Sequence, residues 1–349
     1  MIDETNRGLR NGKRVRPTLA DKVAFLKRPA SFPDRPKRVE SVETHMSWVF
    51  LTKHHAYKLK KPVCFDFLDY RTLAARRHCC EEEVRLNQRL AAGIYLAVVP
   101  LVTESGMLQL AGTGEVVDWL VKMRRLPMEV RLDVGIRRGG VDSVRLRSAL
   151  QQMAAFYAES RPVPIIPAQY RARLEADIRA DYQVLAMPRH RLPMLATNRL
   201  IAAQLAFVTR QAALIERRAT RVVEAHGDLR PEHIYLRDTP VFVDRLEFNR
   251  ELRLLDPAEE LAYLAMECER LGARWIGDLA FDVYRRSTSD HAPPSLIAFY
   301  RSRRACLRAK LAVGHLQDPS APVPSPWLDR AAAYLALARR YADAFRGAA

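Results

Sequence analysis

The stretch His226-Gly-Asp-Leu-Arg-Pro-Glu-His-Ile-Tyr-Leu236, followed by Val241-Phe-Val-Asp-Arg-Leu-Glu-Phe248, decides how this chain is read. Asp228 sits in a short loop, His233 follows five residues on as a second potential metal ligand, and Asp244 closes the next apolar run. Residues 234–236 and 241–243 are short enough and apolar enough to pair as strands. The turn between them, Arg237-Asp-Thr-Pro240, carries the residue types that reverse a chain. A hairpin of that length would return Asp244 to the neighbourhood of Asp228. Asp is common at turns and helix caps, so one of these acids alone would carry little. The matched hairpin with an acid at each end points to chemistry.

Phosphoryl transfer is the chemistry that fits. It asks little covalent work of a protein: a carboxylate to orient and deprotonate the attacking hydroxyl, ligands for Mg2+, and a cation on the phosphates. The two carboxylates have different tasks, so they must be separate in sequence and face one place.

These residues resemble the catalytic stretch of kinase-like enzymes, H-R-D-L-x-x-x-N followed by D-F-G. Here the loop reads His-Gly-Asp-Leu-Arg-Pro-Glu-His, and Val-Asp-Arg stands for the second motif. The form is similar to the aminoglycoside phosphotransferase and choline-kinase branch, and closer still to an uncharacterised bacterial subgroup of the aminoglycoside phosphotransferase family. Residues 43–51, 56–62, 77–87 and 246–248 carry the further likeness, which runs from about residue 20 to 275. Some members of that subgroup fuse this module to a P-loop kinase; this sequence contains no G-x-x-x-x-G-K-[ST]. The resemblance implies a protein-kinase-like bilobal α+β fold, with a small β-rich N-lobe and a larger, mainly helical C-lobe. It places Asp228 as catalytic base, with His233 and Asp244 at the metal. It also implies ATP and Mg2+ as cofactors, and a small-molecule hydroxyl as acceptor.

The amino-terminal lobe supplies the phosphate-binding cation in this reading. Residues 47–52 and 56–61 read as two strands joined by a basic turn. On the second, Ala56, Lys58 and Lys60 share one face and Tyr57 and Leu59 the other. Ala56-Tyr57-Lys58 matches the kinase A-I-K step, which makes Lys58 the candidate for the phosphates and Lys60 the reserve. Residues 72–90 read as a helix, with Cys79, Glu83, Leu86 and Leu90 on one face. Glu83 interrupts that apolar stripe, and a buried carboxylate without a partner is expensive. Pairing with Lys58 removes the cost and fixes the ammonium. Between Gly12 and Gly93 there is no glycine, so no Gly-rich loop can wrap phosphates. Residues 43–47 take that place, with Thr44, His45 and Ser47 as side-chain donors.

The rest of the chain is organised around these parts. A basic tail spans 1–19, the N-lobe 20–117, a hinge 118–126 and the helical C-lobe 127–349. Asp142 caps a helix with Leu146, Leu150, Met153 and Phe156 inward. Helices are expected near 167–187, 195–224, 295–316 and 325–346, the last two separated by a Pro-rich turn at 318–326. Asp256-Pro-Ala-Glu259 makes a helix start in which Asp256 is structural, with Pro at N1 and Glu at N3.

Composition narrows the field. No apolar run is long enough for a membrane span, and the amino terminus lacks a secretory h-region. Cysteines 64, 79, 80, 268 and 306 are odd in number and form no C-x-x-C pair, which suggests reduced thiols in a cytoplasm. The net charge of +17 invites a nucleic-acid reading, yet of 57 basic residues only 10 are Lys, and the Arg are scattered. No nucleic-acid-binding motif is present, although residues 7–16 could touch a polyanion weakly. A protein so basic is also a poor host for a polycationic aminoglycoside.

His233 is the departure that matters most, because it stands where kinases keep Asn. Mg2+ prefers oxygen, whereas imidazole suits softer first-row metals, and Mn2+ accepts it more readily than Mg2+ does. Glu247, three residues after Asp244, could supply the missing oxygen ligand; Glu232 is expected to point away. Three readings follow in order: a hydroxyl phosphotransferase, a pseudokinase that keeps nucleotide binding without transfer, and a basic nucleic-acid-binding protein. Acceptor, metal identity and oligomeric state are not legible.

Overall fold

The computed structural model describes residues 16–65, 67–190, 192–317 and 326–346. The basic tail is described only from Arg16, and residues 318–325 of the Pro-rich turn lie outside the described residues. Residues up to Leu126 and residues from Pro127 onward form two compact units.

In the first unit, α1 (Leu19–Leu26) starts from a capping box in which Thr18 and Asp21 satisfy each other's backbone N–H. The strands are β1 (Glu40–Glu43), β2 (Ser47–Leu51), β3 (His55–Lys60), β4 (Cys64–Phe65), β5 (Leu68–Asp69), β6 (Tyr95–Glu104), β7 (Met107–Leu110) and β8 (Glu115–Arg124), with α2 (Leu73–Asn87) between β5 and β6. Six of them make one antiparallel sheet in the order β1-β2-β3-β8-β6-β7, while β4 and β5 pair separately. The stretch read as a hinge therefore begins as β8, an inner strand bonded to both β3 and β6.

Strand period decides what β3 presents. Tyr57 and Leu59 enter a core with Leu26, Phe32, Phe50, Leu101 and Leu120. Lys58 and Lys60 project to the opposite face. A slip of one residue would exchange the two sets, and each large apolar side chain turned out of that core forfeits roughly 1.5–3 kcal/mol. Core packing thus fixes the register that aims the lysines. Helix α2 is shorter than its sequence suggests: it ends at Asn87, and Leu90 is buried from the turn beyond.

The second unit is mainly helical. Its helices are α3 (Leu132–Arg137), α4 (Ser143–Glu159), α5 (Pro167–Leu185), α6 (Met194–Arg210), α7 (Ala212–Arg218), α8 (Pro257–Arg270), α9 (Arg274–Thr288), α10 (Pro294–Gly314) and α11 (Pro326–Arg346). Two small antiparallel pairs lie between α7 and α8. They are β9 (Val223–Glu224) with β12 (Leu254–Leu255), and β10 (Ile234–Tyr235) with β11 (Val241–Phe242). Asp142 caps α4 through the N–H groups of Val144 and Arg145, and Leu146, Leu150, Met153 and Phe156 are buried. No described helix is long and apolar enough to cross a membrane. A sheet-bearing unit followed by a helical one is an α+β organisation.

Two expectations about helices need correction. The continuous helix expected at 195–224 breaks at Gln211 into α6 and α7 and runs on into β9. The break accompanies Arg218, which is drawn inward onto Asp256 at 2.6 and 2.7 Å and onto Asp290 at 2.5 and 2.7 Å. That tie is tertiary, and helical periodicity does not register it. At α8 the N-cap stands, since Asp256 accepts from Ala258 N–H. Glu259 instead reaches Arg303 at 2.9 Å and Arg304 at 3.0 Å. Every residue of α8 from Pro257 to Cys268 is buried, so this helix is the spine of the unit and its acids must find partners inside.

Candidate functional site

In the first unit the candidate residues gather on one carboxylate. Glu83 is fully buried and receives Lys58 Nζ on Oε1 at 2.9 Å and Lys60 Nζ on Oε2 at 2.7 Å. Lysines two apart on a strand share a face, so one glutamate on the facing helix can hold both. They differ in access: the Lys60 side chain is 1% exposed and lies over the Tyr70 ring, whereas Lys58 is 15% exposed. Lys58 is the lysine open to an outside anion, and Lys60 is sealed beneath it.

The segment that replaces a Gly-rich loop is a tight turn. Thr44 and Ser47 close it through Thr44 N–H to the Ser47 carbonyl (2.8 Å) and Ser47 N–H to Thr44 Oγ1 (3.0 Å). Ser47 is buried, while Thr44 and His45 are exposed. The side-chain donor expected at Ser47 is thus turned inward by the alternation of β2, and the turn offers Thr44 and His45 to solvent.

In the second unit, local geometry explains the loop. Gly227 has φ +91°, and a Cβ there would meet the Leu246 Cβ at 2.9 Å and the Arg253 Cβ at 3.1 Å. Only glycine suits that bend. Pro231 starts a 3-10 turn that ends at His233, and the β10–β11 hairpin follows. The chain then leaves β11 at once, with Asp244 at φ +63°. Arg245 folds back to the carbonyls of Ala225 (2.9 Å) and Glu224 (2.6 Å). This bend holds Asp244 beside the loop.

His233 is the meeting point. Its Nδ1 lies 2.8 Å from the carbonyl oxygen of Asp228, an acceptor, so Nδ1 carries the hydrogen. Arg230 Nη2, which can only donate, lies 3.1 Å from Nε2, so Nε2 is the lone-pair nitrogen; Asp244 Oδ2 is 3.6 Å from it. Asp228 Oδ2 stands 3.7 Å from the other side of the ring. The imidazole is nearly buried, while the Asp228 and Asp244 side chains remain 30% and 45% exposed.

Asp228 sits among cations. Tyr263 donates to Oδ1 at 3.0 Å, and Arg230 Nε stands 3.0 Å from the same oxygen. That Nε–H is not aimed along the contact and finds no acceptor. Burial alone would raise the Asp228 carboxyl; the charges of Arg230 and Arg308 oppose it, and the group is held well below the usual carboxylate range. Burial first, then the neighbouring Asp228 charge, raises the Tyr263 hydroxyl, so it stays protonated as a donor.

A second carboxylate holds the loop from behind. Glu260 on α8 accepts from His226 N–H (3.0 Å), Gly227 N–H (2.6 Å) and the Tyr157 hydroxyl (2.7 Å). Burial raises it above the ordinary glutamate range despite those bonds. His226 is fully buried and stays neutral, its pKa lowered to about 3 by burial and by His233. Its Nδ1 accepts from Asp228 N–H at 3.3 Å, and Nε2–H donates to Val243 at 3.0 Å.

Arg230, Glu260, Tyr263 and Arg308 were missed by sequence reasoning. Glu260 and Tyr263 had a signal: Glu260, Tyr263, Leu264 and Glu267 recur at helical spacing on α8, the pattern that exposed Glu83. The three-residue metal set expected from Asp244, His233 and Glu247 is not assembled. Among the described residues no group of three or more His, Cys, Asp and Glu is placed to hold a metal ion. Asp244 adopts φ +63°, which ends strand alternation there, and the Glu247 backbone carbonyl accepts from Arg253 at 3.5 Å.

What remains is a pair. His233 Nε2 and Asp244 Oδ2, 3.6 Å apart, are spaced as two ligands of one ion, with the tautomer set by the bond at Nδ1. A divalent cation in a nucleotide site takes only one or two protein carboxylates, with phosphates and water completing it. The donor set fits such an ion, and the imidazole fits Mn2+ better than Mg2+.

No protein-family model matches the chain. Uncharacterised proteins of Mycobacterium tuberculosis and Mycobacterium bovis are 34% identical over 276 residues, which is 77% of this chain and 53% of theirs. The chain thus spans about half the length of the curated relatives it matches. Among solved structures, LicA in complex with AMP has a TM-score of 0.53 at 15% identity, covering 93% of this chain and 100% of LicA. Aminoglycoside phosphotransferase APH(3'')-Id from Streptomyces rimosus has a TM-score of 0.48 at 18% identity, covering 82% of this chain and 98% of its own. The similarity to LicA is a similarity of fold: the chain has a kinase-like α+β fold, with an antiparallel sheet and a Glu-bearing helix in one unit and the acidic loop in the other.

Proposed function

We propose that the chain transfers the terminal phosphoryl group of ATP to a hydroxyl of a small molecule. The observation that carries this reading is the gathering of Asp228 and Asp244 on opposite sides of one imidazole, on a loop whose backbone a buried glutamate holds. LicA, which shares the fold, was solved with AMP, and an adenine nucleotide is the cofactor this reading requires.

In the reaction, the acceptor oxygen forms a bond to the γ-phosphorus while the bond to the β–γ bridging oxygen breaks. ADP leaves with the electron pair, and the hydroxyl proton passes to Asp228 and then to water. Oδ1 of Asp228 is engaged by Tyr263 and Arg230, so Oδ2 is the oxygen left for the acceptor. A carboxylate held so acidic orients the hydroxyl more than it pulls the proton early, which suits a loose transition state. His233 and Asp244 would hold a divalent cation, whose charge would offset that of the phosphates. In the first unit Lys58, fixed by Glu83, would neutralise phosphate oxygens.

The test is ATP turnover against a panel of hydroxyl compounds. On any compound turned over, Asp228→Asn is expected to lower kcat by about 10²–10⁴-fold, with the nucleotide-induced rise in Tm retained. Equal rates for wild type and variant would end the assigned role. A second reading, a nucleotide-binding module without transfer, is favoured by one observation: Arg230 lies against Asp228 and His233 together. Its signature is a Tm shift with ATP and Mn2+, equivalent to about 2.7 kcal/mol at 100 Kd, with no transfer to any acceptor.

A further inference from the structure

The catalytic loop holds two buried polar atoms that make no hydrogen bond, Arg230 Nε and Glu232 Oε2. They belong to residues two apart in the same short turn, and the Glu232 charge acts on Arg230. Arg230 Nε keeps an ion contact with Asp228 without an aimed hydrogen bond, and a buried acceptor such as Glu232 Oε2 left without a hydrogen bond is uncommon and costly, roughly 1–3 kcal/mol. One rotation of the Arg230 side chain toward Glu232 would satisfy both. In its present position the same guanidinium contacts Asp228 Oδ1 at 3.0 Å and places Nη2 at 3.1 Å from His233 Nε2. It thus covers the proposed base and the one lone pair through which His233 can ligate.

We infer that Arg230 is a latch with two berths. In the closed berth its cation rests on Asp228 and His233 and takes the place of the divalent ion. In the open berth it pairs with Glu232, which uncovers His233 Nε2 and Asp228 Oδ1. Both berths lie within residues 228–233, so the exchange is one of side chains. The inference rests on the phosphotransferase reading of the site, because it assigns the metal position to His233 and Asp244. It gives the sequence Arg-Pro-Glu-His a purpose: the cation, its second berth and the ligand it masks lie within four residues.

The guanidinium fork matters to the closed berth. A planar group can touch Asp228 with one nitrogen and His233 with another, whereas a lysine ammonium is a single point of charge. Replacing Arg230 with Lys should therefore weaken the cover without removing the positive charge. Removing Glu232 should do the opposite, since it takes away the charge of the second berth.

The experiment is Mn2+ titration of the nucleotide-free chain, followed by electron paramagnetic resonance of the free ion and by Tm. Arg230→Gln should bind Mn2+ at least ten-fold more tightly than wild type, Arg230→Lys should fall between, and Glu232→Gln should bind at least three-fold more weakly. The Tm gain with Mn2+ should follow the same order, and Arg230→Lys keeps the test alive if the Gln variant does not fold. Equal Mn2+ affinity across wild type and variants overturns the latch and leaves the phosphotransferase reading standing. Weaker binding by Arg230→Gln overturns it as well, since the arginine would then assist the ion. If none of the proteins takes up Mn2+ with or without ATP, both inferences fall.

Discussion

Two carboxylates in this molecule are surrounded by cations, and they are held in opposite ways. Glu83 lies at the centre of regular structure, on a helix, facing two lysines from one strand, and is sealed from water. Asp228 lies in an irregular loop, is 30% exposed, and draws its partners from the loop and from α8 and α10: Arg230, His233, Tyr263 and Arg308. The first cluster is part of the fold, because removing the acid would leave ammonium groups buried. The second is poised, because its groups can exchange partners with water or a ligand without disturbing the core. A buried ion pair whose partner is deleted costs far more than an exposed one, so the two clusters should fail differently.

The largest effect should come from breaking the first. Glu83→Ala leaves Lys60 uncompensated inside the protein and is expected to lower unfolding free energy by about 3–5 kcal/mol. Urea denaturation reads this directly. A loss under about 1 kcal/mol would mean that water reaches the pair and that the contrast drawn above is false. Asp228→Asn, by comparison, should cost mainly turnover.

A smaller effect should come from behind the loop. Glu260→Gln keeps the shape of the side chain but turns an amide NH2 toward one of the two N–H groups it now accepts from. Expected losses are about 1–3 kcal/mol in stability and at least ten-fold in kcat as Asp228 shifts. Because burial raises Glu260, wild type and variant should converge as the pH falls toward the carboxylate range, where the wild-type residue is neutral too. Stability curves at pH 7 and pH 5 that stay parallel would count against this account of the loop.

The smallest effect is a pH slope from His226. Its folded pKa of about 3 lies below the unfolded value near 6.5. Such a base contributes stability that is full above 6.5 and is lost as protons are forced on below it. Between pH 6.5 and 5, where ordinary carboxylates titrate little, wild type should lose about 1 kcal/mol per pH unit more than His226→Asn. Glu260 and Asp181, with raised values, push the other way in both proteins, so the difference isolates the histidine. Equal slopes would show that His226 is not buried in its neutral form.

Legibility in the sequence follows the same contrast. Strand period two and helix period 3.6 put Lys58, Lys60 and Glu83 on facing surfaces, and the cost of an unpaired buried acid made their meeting readable. That Lys60 would share the acid rather than stand in reserve needed the actual register of β3 against α2. The hairpin after Asp228 was readable from its turn residues, and Asp244 came with it. That Glu247 forms no three-residue metal group with Asp244 and His233 was not readable, because Asp244 adopts φ +63° and the chain beyond it follows no period. Tyr263 and Arg308 lie 35 and 80 positions from Asp228, and no local period ties an α8 or α10 residue to that loop. The pull on Arg218 was hidden for the same reason, since Asp256 and Asp290 are remote from it in sequence.

By itself, then, the amino-acid order determined the α+β organisation, the acidic loop and the lysine–glutamate pair. Each rests on short-range periodicity, turn chemistry or the cost of burying a charge, all of which act between neighbours. Tertiary packing alone decided what holds the loop and how acidic Asp228 is, because electrostatic partners are chosen by distance in space. It also decided that Arg230 would lie against both Asp228 and His233, contacts that no local period encodes.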